Sequence, residues 1–342
     1  MSVKLMKQEK QFLFEEDRPF PSCHASTIVT LPDGGLLISY FAGSKEGAPD
    51  EAIWCSRQKD GVWSPPYKVA DEENLVHWNP VLHRKESGEI LLFYKVGYPI
   101  PQWYTRLIVS LDDGQTWSEP VELVPGDVGG RGPVKNKLIV LQDGTWAAPA
   151  SLETPVEWDA FVDLSFDEGA TWTASGLVPV LHPGSVRAPE QAGQVLEKLQ
   201  LVHGRGIIQP TLWESAPGQV HMLLRSTAGF IYRSDSADGG RTWSPAYKTY
   251  LPNNNSGIDL AKMENGTLVL AYNPVGMYKG PRTPLLLSVS SDNGYTWEEL
   301  LVLEREPGEY SYPAVLAEGN RVYVTYTWKR ERIVCWSLEI GE

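Results

Sequence analysis

The stretch Ser110-Leu111-Asp112-Asp113-Gly114-Gln115-Thr116-Trp117 decides the fold, because the chain repeats it. The pattern Ser-x-Asp-x-Gly-x-Thr-Trp returns at 165–172, 236–243 and 290–297, and a degraded copy at 56–63 has lost its Asp and Thr. The tryptophans of the five copies, Trp63, Trp117, Trp172, Trp243 and Trp297, are spaced by 54, 55, 71 and 54 residues. The physics of this box is local. Its Asp can accept backbone N–H bonds inside a tight turn, and its Gly can take positive φ. Its Trp can pack between neighbouring sheets. The box therefore specifies architecture and not chemistry.

A second repeat interleaves with the first. Each unit is an apolar run, a tight turn and another apolar run. The six units are STIVTLPDGGLLISYF, NPVLHRKESGEILLFYKV, NKLIVLQDGTWAAPA, QPTLWESAPGQVHMLLRS, IDLAKMENGTLVLAYN and YPAVLAEGNRVYVTYTW. Asp-Gly, Asn-Gly and Gly-Asn at their centres are hairpin-turn dipeptides. Six units in 342 residues give about 57 residues each, slightly above a four-stranded propeller blade of roughly 40–50. The expectation is an all-β, six-bladed β-propeller with four-stranded antiparallel blades, a single domain over residues 1–342. The opening QFLFEE reads as a strand that completes the last blade and removes a free sheet edge. The best helical candidate, 189–201, falls in the one long box spacing and reads as an insertion on a blade.

Composition agrees with many short strands and tight turns. Gly 31 and Pro 26 are about a sixth of the chain, and Trp 13 is high. The 30 basic and 43 acidic residues leave a net charge of −13, which repels nucleic acid on average. An anionic small ligand needs a few arginines focused in one cleft. Cys23, Cys55 and Cys335 have no metal spacing and read as reduced thiols. With no signal-peptide apolar region and no run of membrane-spanning length, the expected location is cytoplasmic, with no membrane partner. No transition metal and no cofactor are expected.

The boxes resemble those of the sialidase-like superfamily of six-bladed propellers, and the resemblance runs along the full chain. It is most like the divergent bacterial proteins labelled sialidase-family or BNR-repeat proteins. The box also occurs on propellers with other functions, so activity has to be read from the site. The resemblance implies an arginine triad for a substrate carboxylate, an acid/base Asp, and a Tyr nucleophile paired with a Glu. Asp50 in GSKEGAPDEAIW fits the acid. Arg225 in HMLLRS and Arg282 in KGPRTPLLLSVS match the second and third arginines, and Tyr312 in YSYPAVL matches the nucleophile. The first arginine is absent from 22–26, where His24 lies nearby. Gln209 stands where the Glu is expected, and an amide cannot take the proton of a phenol whose pKa is about 10.

In a propeller the starts of the innermost strands converge on a central mouth. Those positions are polar in every repeat: His24; His77 with Asn79; Lys135, Asn136 and Lys137; Gln209; Asn255, Ser256 and Asp259; Tyr310 and Tyr312. Trp78 reads as a sugar-stacking platform or as core. Turn and core roles compete for Asp50, His24, His77 and Tyr312. His83, His182, His203 and His221 read as structural or surface residues.

Three readings follow. The first is an exo-acting, sialidase-like glycoside hydrolase for a terminal acidic sugar, a sialic acid or a related ulosonic or uronic acid. Arg225 and Arg282 hold the carboxylate, Asp50 is the general acid, Tyr312 is nucleophile or stabiliser, and His24 can be the base. The partner is an acidic oligosaccharide. The second is a uronate-directed lyase using the same arginines with His24 or Tyr312. The third is a non-catalytic propeller that binds an acidic glycan.

Overall fold

The computed structural model describes residues 3–182 and 202–341, and the helical candidate at 189–201 lies outside the described residues. Strand β1 (Lys4–Phe12) opens the chain. The first blade holds β2 (Ser22–Thr30), β3 (Leu36–Gly43), β4 (Ala52–Lys59), β5 (Val62–Trp63) and β6 (Tyr67–Ala70). The second holds β7 (His77–Arg84), β8 (Ile90–Val96), β9 (Tyr104–Ser110) and β10 (Val121–Glu122), and the third β11 (Ile139–Val140), β12 (Trp146–Glu153), β13 (Trp158–Ser165) and β14 (Thr173–Ala174). The fourth holds β15 (Ile207–Ala216), β16 (Gln219–Ser226), β17 (Phe230–Ser236) and β18 (Tyr247–Pro252). The fifth holds β19 (Asp259–Lys262), β20 (Leu268–Tyr272), β21 (Leu285–Ser290) and β22 (Glu298–Glu304). The sixth holds β23 (Tyr310–Glu318), β24 (Arg321–Trp328) and β25 (Arg332–Gly341), with β1 as its outermost strand.

The expected six-bladed antiparallel architecture is therefore present. Returning strands such as β3 and β8 are buried along their whole length. Each is covered on both faces by neighbouring blades, so it reads as a continuous apolar run rather than an alternating one. The first blade departs from four strands, because β5 and β6 both pair with β4. The degraded box explains this. Asp60 and Gly61, at φ 50 and 79, make a two-residue hairpin there in place of the box. The strand expected over QFLFEE ends at Phe12, and Leu13 and Phe14 turn into the core beside Phe20 and Tyr40.

Each intact box closes the turn after the third strand of its blade. Asp112 Oδ1 accepts the Thr116 N–H at 2.8 Å, and Oδ2 accepts the Thr116 hydroxyl at 2.7 Å. Ser110 Oγ accepts the Gly114 N–H at 2.8 Å. The same bonds recur at Asp167, Asp238 and Asp292. The Thr116 bonds hold the Asp112 carboxyl below the usual carboxylate range. Box tryptophans join blades: the Trp172 ring sits edge-on to Phe93 of the second blade and to Trp146 of the third. Among the described residues no helix is long and apolar enough to cross a membrane.

Candidate functional site

Strand direction sets the two faces of the ring. In each blade the innermost strand starts at one face, the second returns to it, and the third leaves toward the box. The mouth is thus built from innermost-strand starts, second-strand ends and second-to-third connections. By this rule Asp50, Arg225, Arg282 and Tyr312 share one face.

At each innermost-strand start a non-glycine residue takes the left-handed region: Ala25 (φ 54), Asn79 (41), Lys135 (66), Gln209 (50), Asn255 (64) and Tyr312 (55). In four blades the pairing register slips at this point: between His24 and Thr27, Trp78 and Val81, Ile208 and Thr211, and Ser311 and Ala314. A bulge re-aims side chains, and left-handed backbone costs energy that the surrounding fold must offset. Proline follows three of the six residues, at 80, 210 and 313, where an unpaired position needs no N–H.

Tyr312 is the hub. Arg225 donates Nη1–H to the Tyr312 hydroxyl at 2.8 Å and to Gln209 Oε1 at 2.9 Å, and Nε–H to Asn255 Oδ1 at 3.0 Å. The guanidinium carbons of Arg225 and Arg282 each lie 5.5 Å from the Tyr312 ring centroid, and Lys135 Nζ lies 6.0 Å away. The His24 ring is centred 4.2 Å from that of Tyr312. His24 is buried, its Nδ1 is 2.9 Å from Thr327 Oγ1, and its Nε2 has no hydrogen-bond partner among the described residues. Burial first, then the charges of Arg330, Arg282, Lys135 and Arg225, hold its pKa well below 6.5, so it is neutral at pH 7.

Three site residues escaped the sequence reading. Glu153 ends β12, the place Arg225 takes in the fourth blade, and accepts the Gln209 amide N–H at 3.2 Å. Burial raises its pKa, opposed by Arg225. A Glu153–Gln209–Arg225–Tyr312 chain thus runs behind the phenol. Arg330 sits in the β24–β25 turn and Glu309 just before β23. Glu309 Oε1 accepts from Arg282 at 2.8 Å and from Arg330 at 2.5 Å, and Arg330 also donates to Glu46 at 2.6 Å. Arg330 lies close enough to lower the pKa of His24. The signal for Glu153 and Arg330 was position, since charged residues stood at second-strand ends and turns in repeats already delimited.

Other mouth residues are tied into the fold. Lys135 is buried and donates to the Ile258 carbonyl at 2.9 Å, to Asn136 Oδ1 at 2.8 Å and to the Pro313 carbonyl. Burial lowers its pKa to about 7. Asn136 donates to the Gln209 and Pro210 carbonyls. Lys137 pairs with Asp259 at 2.8 Å, and Asp259 also accepts from Thr211 and from the Val315 N–H. These groups lace the third, fourth, fifth and sixth blades together across the axis. Ser256 is buried, and its hydroxyl has no partner among the described residues. Asn79 is almost fully buried.

His77 has both ring nitrogens engaged by backbone, at the Leu75 carbonyl and the Glu72 N–H, and stacks on Tyr94. Trp78 packs among Phe41 and Trp103 and donates to the Gly97 carbonyl. Tyr310 is core, against Trp328. Asp50 is exposed, and its carboxylate accepts the Ser44 N–H and hydroxyl at 2.9 and 2.8 Å. Its neighbour Glu51 is buried, accepts the Gly47 N–H at 2.9 Å, and has its pKa raised by burial to about 8. Among the described residues no three His, Cys, Asp or Glu side chains are grouped to hold a metal ion. A surface groove of about 520 Å³ between the second and third blades, lined by Lys85, Glu89, Phe166 and Glu168, contains none of these mouth residues.

The ring and its polar mouth define a six-bladed β-propeller with repeated box turns. The chain belongs to the BNR repeat-like domain family, whose model matches residues 34–324. Among solved structures it is similar to the Hadza microbial sialidase Hz136, at 17% identity and a TM-score of 0.75, over 96% of this chain and 68% of that one. It is similar along 99% of both chains to a protein of unknown function from Dyadobacter fermentans, at 16% identity and a TM-score of 0.73. A Trypanosoma rangeli sialidase in complex with the inhibitor DANA matches at 14% identity and a TM-score of 0.72, over 96% of this chain and 59% of that one. At these identities the likeness is one of fold. No curated protein sequence matches the chain.

Proposed function

We propose that the protein is a sialidase-like glycoside hydrolase that removes a terminal acidic sugar from an oligosaccharide. The observation that carries this reading is the set of guanidiniums around one tyrosine: Arg225 on its hydroxyl, Arg282 over its ring, and Arg330 sharing Glu309 with Arg282. Fixed guanidinium forks suit a planar carboxylate. Tyr312 then faces the anomeric carbon as nucleophile or as stabiliser of an oxocarbenium-like transition state. Arg225 stabilises the charge that develops on the phenol oxygen, and neutral His24 accepts its proton. Asp50, on the exposed loop of the first blade, protonates the leaving group.

One observation favours an elimination instead. Among the described residues no carboxylate hydrogen-bonds the Tyr312 hydroxyl, and the neutral His24 ring, centred 4.2 Å from the tyrosine ring, has a free Nε2. A histidine–tyrosine pair under a guanidinium-bound uronate can remove the proton next to the carboxylate and protonate the leaving oxygen. The test is incubation with sialosides, ulosonosides and uronides, read by mass spectrometry and ultraviolet absorbance. Gain of one water marks hydrolysis; an absorbing product without added water marks elimination. Tyr312→Phe is expected to cut turnover by about a hundredfold or more. Binding without turnover across the panel refutes both enzymatic readings and leaves a glycan-binding propeller. We further propose a cytoplasmic location, supported by three buried, unpaired cysteines; recovery of the native protein outside the cytoplasm of its host refutes it.

A further inference from the structure

We infer that Ser215, His221, Asp235 and Asn293 form a second site, a nucleophilic serine centre for short-chain carboxylic esters, on the box face between the fourth and fifth blades. The fold brings the four together from three strands and the box turn of the fifth blade. Ser215 lies near the end of β15, His221 near the start of β16 and Asp235 near the end of β17. His221 pairs in register with Trp213 on one side and Asp235 on the other, so these three face the same way. The register slips between Glu214 and Ala216, which makes Ser215 the bulged residue. A bulge is a common device for re-aiming a functional side chain.

The hydrogen bonds fix the chemistry. Ser215 Oγ is 2.7 Å from His221 Nε2, and His221 Nδ1 is 2.6 Å from Asp235 Oδ1. Arg233 Nη2, which only donates, lies 3.2 Å from the same Nδ1, but the far shorter contact is to an ionised carboxylate, which only accepts, so Nδ1 carries the proton and Nε2 presents its lone pair to the serine hydroxyl. That is the tautomer a general base requires. The competing acceptor for the hydroxyl, the Gln219 carbonyl, is farther, at 3.5 Å. Asp235 is held in place by Arg233 Nε–H and the Tyr247 hydroxyl, both at 2.9 Å. The imidazole stacks on Trp213 with centroids 5.0 Å apart.

Asn293 supplies the remaining group. Its Oδ1 accepts the Trp213 indole N–H at 2.7 Å, and an indole can only donate. The amide nitrogen is therefore turned toward His221, 3.3 Å from Nε2. In the free protein its N–H points at the Nε2 lone pair; once Nε2 takes the serine proton, the N–H is released to serve the carbonyl oxygen that gains negative charge. Asn293 occupies a variable box position, which holds Asp113, Glu168 and Gly239 in the other intact boxes. Ser215 is exposed while His221 is almost fully buried, so the nucleophile meets solvent and the base does not.

The step balances within these groups. Ser215 Oγ adds to the ester carbonyl carbon as its proton passes to His221 Nε2, and the oxyanion takes the Asn293 N–H. Collapse breaks the acyl–oxygen bond, and the departing alkoxide takes the proton from His221. Water then gives a proton to His221, adds to the acyl-serine, and releases the carboxylic acid as Ser215 is reprotonated. The exposed setting of Ser215 suits a short acyl group.

The intact protein is mixed with p-nitrophenyl acetate and, separately, with a fluorophosphonate probe. The expected result is a burst of about one nitrophenol per chain and a probe adduct on Ser215, located by peptide mass spectrometry. Ser215→Ala, at an exposed position, is expected to keep the melting temperature and lose both signals. Asn293→Asp keeps the shape and the acceptor for Trp213 but replaces the donor with a negative charge, so it is expected to slow acylation by about a hundredfold or more. No adduct, an adduct elsewhere, or a Ser215→Ala variant that reacts at the original rate overturns the assignment.

Discussion

Glu51 and Asp50 are consecutive in sequence and opposite in environment, and the pair shows how burial assigns roles at the residue scale. Asp50 is exposed and held by Ser44, whereas Glu51 is buried and keeps its proton at neutral pH because its pKa is raised to about 8. The linkage has a definite sign. Between pH 4.5, the ordinary value, and about 8 the folded state holds a proton that the unfolded chain has released, so stability from this group falls as pH rises. Glu51→Gln keeps an acceptor for the Gly47 N–H and cannot ionise. Its melting temperature is expected to match that of the original protein near pH 4.5 and to exceed it increasingly up to pH 8; a constant difference across that range refutes the shift. Arg225, Arg282 and Tyr312 were legible because each holds a recognisable place in a repeat. Glu309 was not, because it meets Arg282 and Arg330 only when separate strand connections fold over one mouth.

At the scale of one element, the box turn carries two separable contributions from its glycine. Gly114 has φ 82, and a Cβ there would lie 2.7 Å from Leu37 of the preceding blade. Gly144, in the hairpin of the third blade, has φ 86 with nothing within 4 Å. Gly144→Ala is expected to cost about 1 kcal/mol, from left-handed backbone alone. Gly114→Ala adds the overlap with Leu37 and is expected to cost about 1–3 kcal/mol more. Urea unfolding of both variants measures the difference; equal losses would mean that the box turn does not bear on its neighbour. The boxes made the blade count legible because their chemistry is local, each Asp meeting a Thr four residues on. The second strand at the edge of the first blade was illegible for a related reason. Losing the box there frees the chain to make a tight hairpin, a pairing choice that no local motif records.

At the scale of the molecule, a ring of blades has to be closed, and β1 closes it. It runs antiparallel to β25 from Lys4 opposite Gly341 to Phe12 opposite Val334. Gln11 Oε1 then accepts from Gln58 at 2.8 Å and from the Trp63 indole at 2.9 Å, both in the first blade. One strand therefore joins the last blade to the first, and Phe12 adds an edge-on contact with Trp328. Without it, β25 presents an unpaired edge carrying Cys335 and Trp336, and such an edge recruits other strands. Deleting residues 1–12 is expected to lower the melting temperature and to produce association that grows with protein concentration, measured by calorimetry and size-exclusion chromatography. The mouth lies at the inner ends of the blades, whereas β1 lies at their outer edge, so loosening reaches the guanidiniums only through the seam between the sixth and first blades. His24 and Thr327 face each other across that seam at 2.9 Å. The acidic-sugar binding proposed above should accordingly weaken in the truncated chain along with its stability. A truncated chain that melts as the full protein does and elutes at the same volume at all concentrations would show that the ring closes without its outer strand.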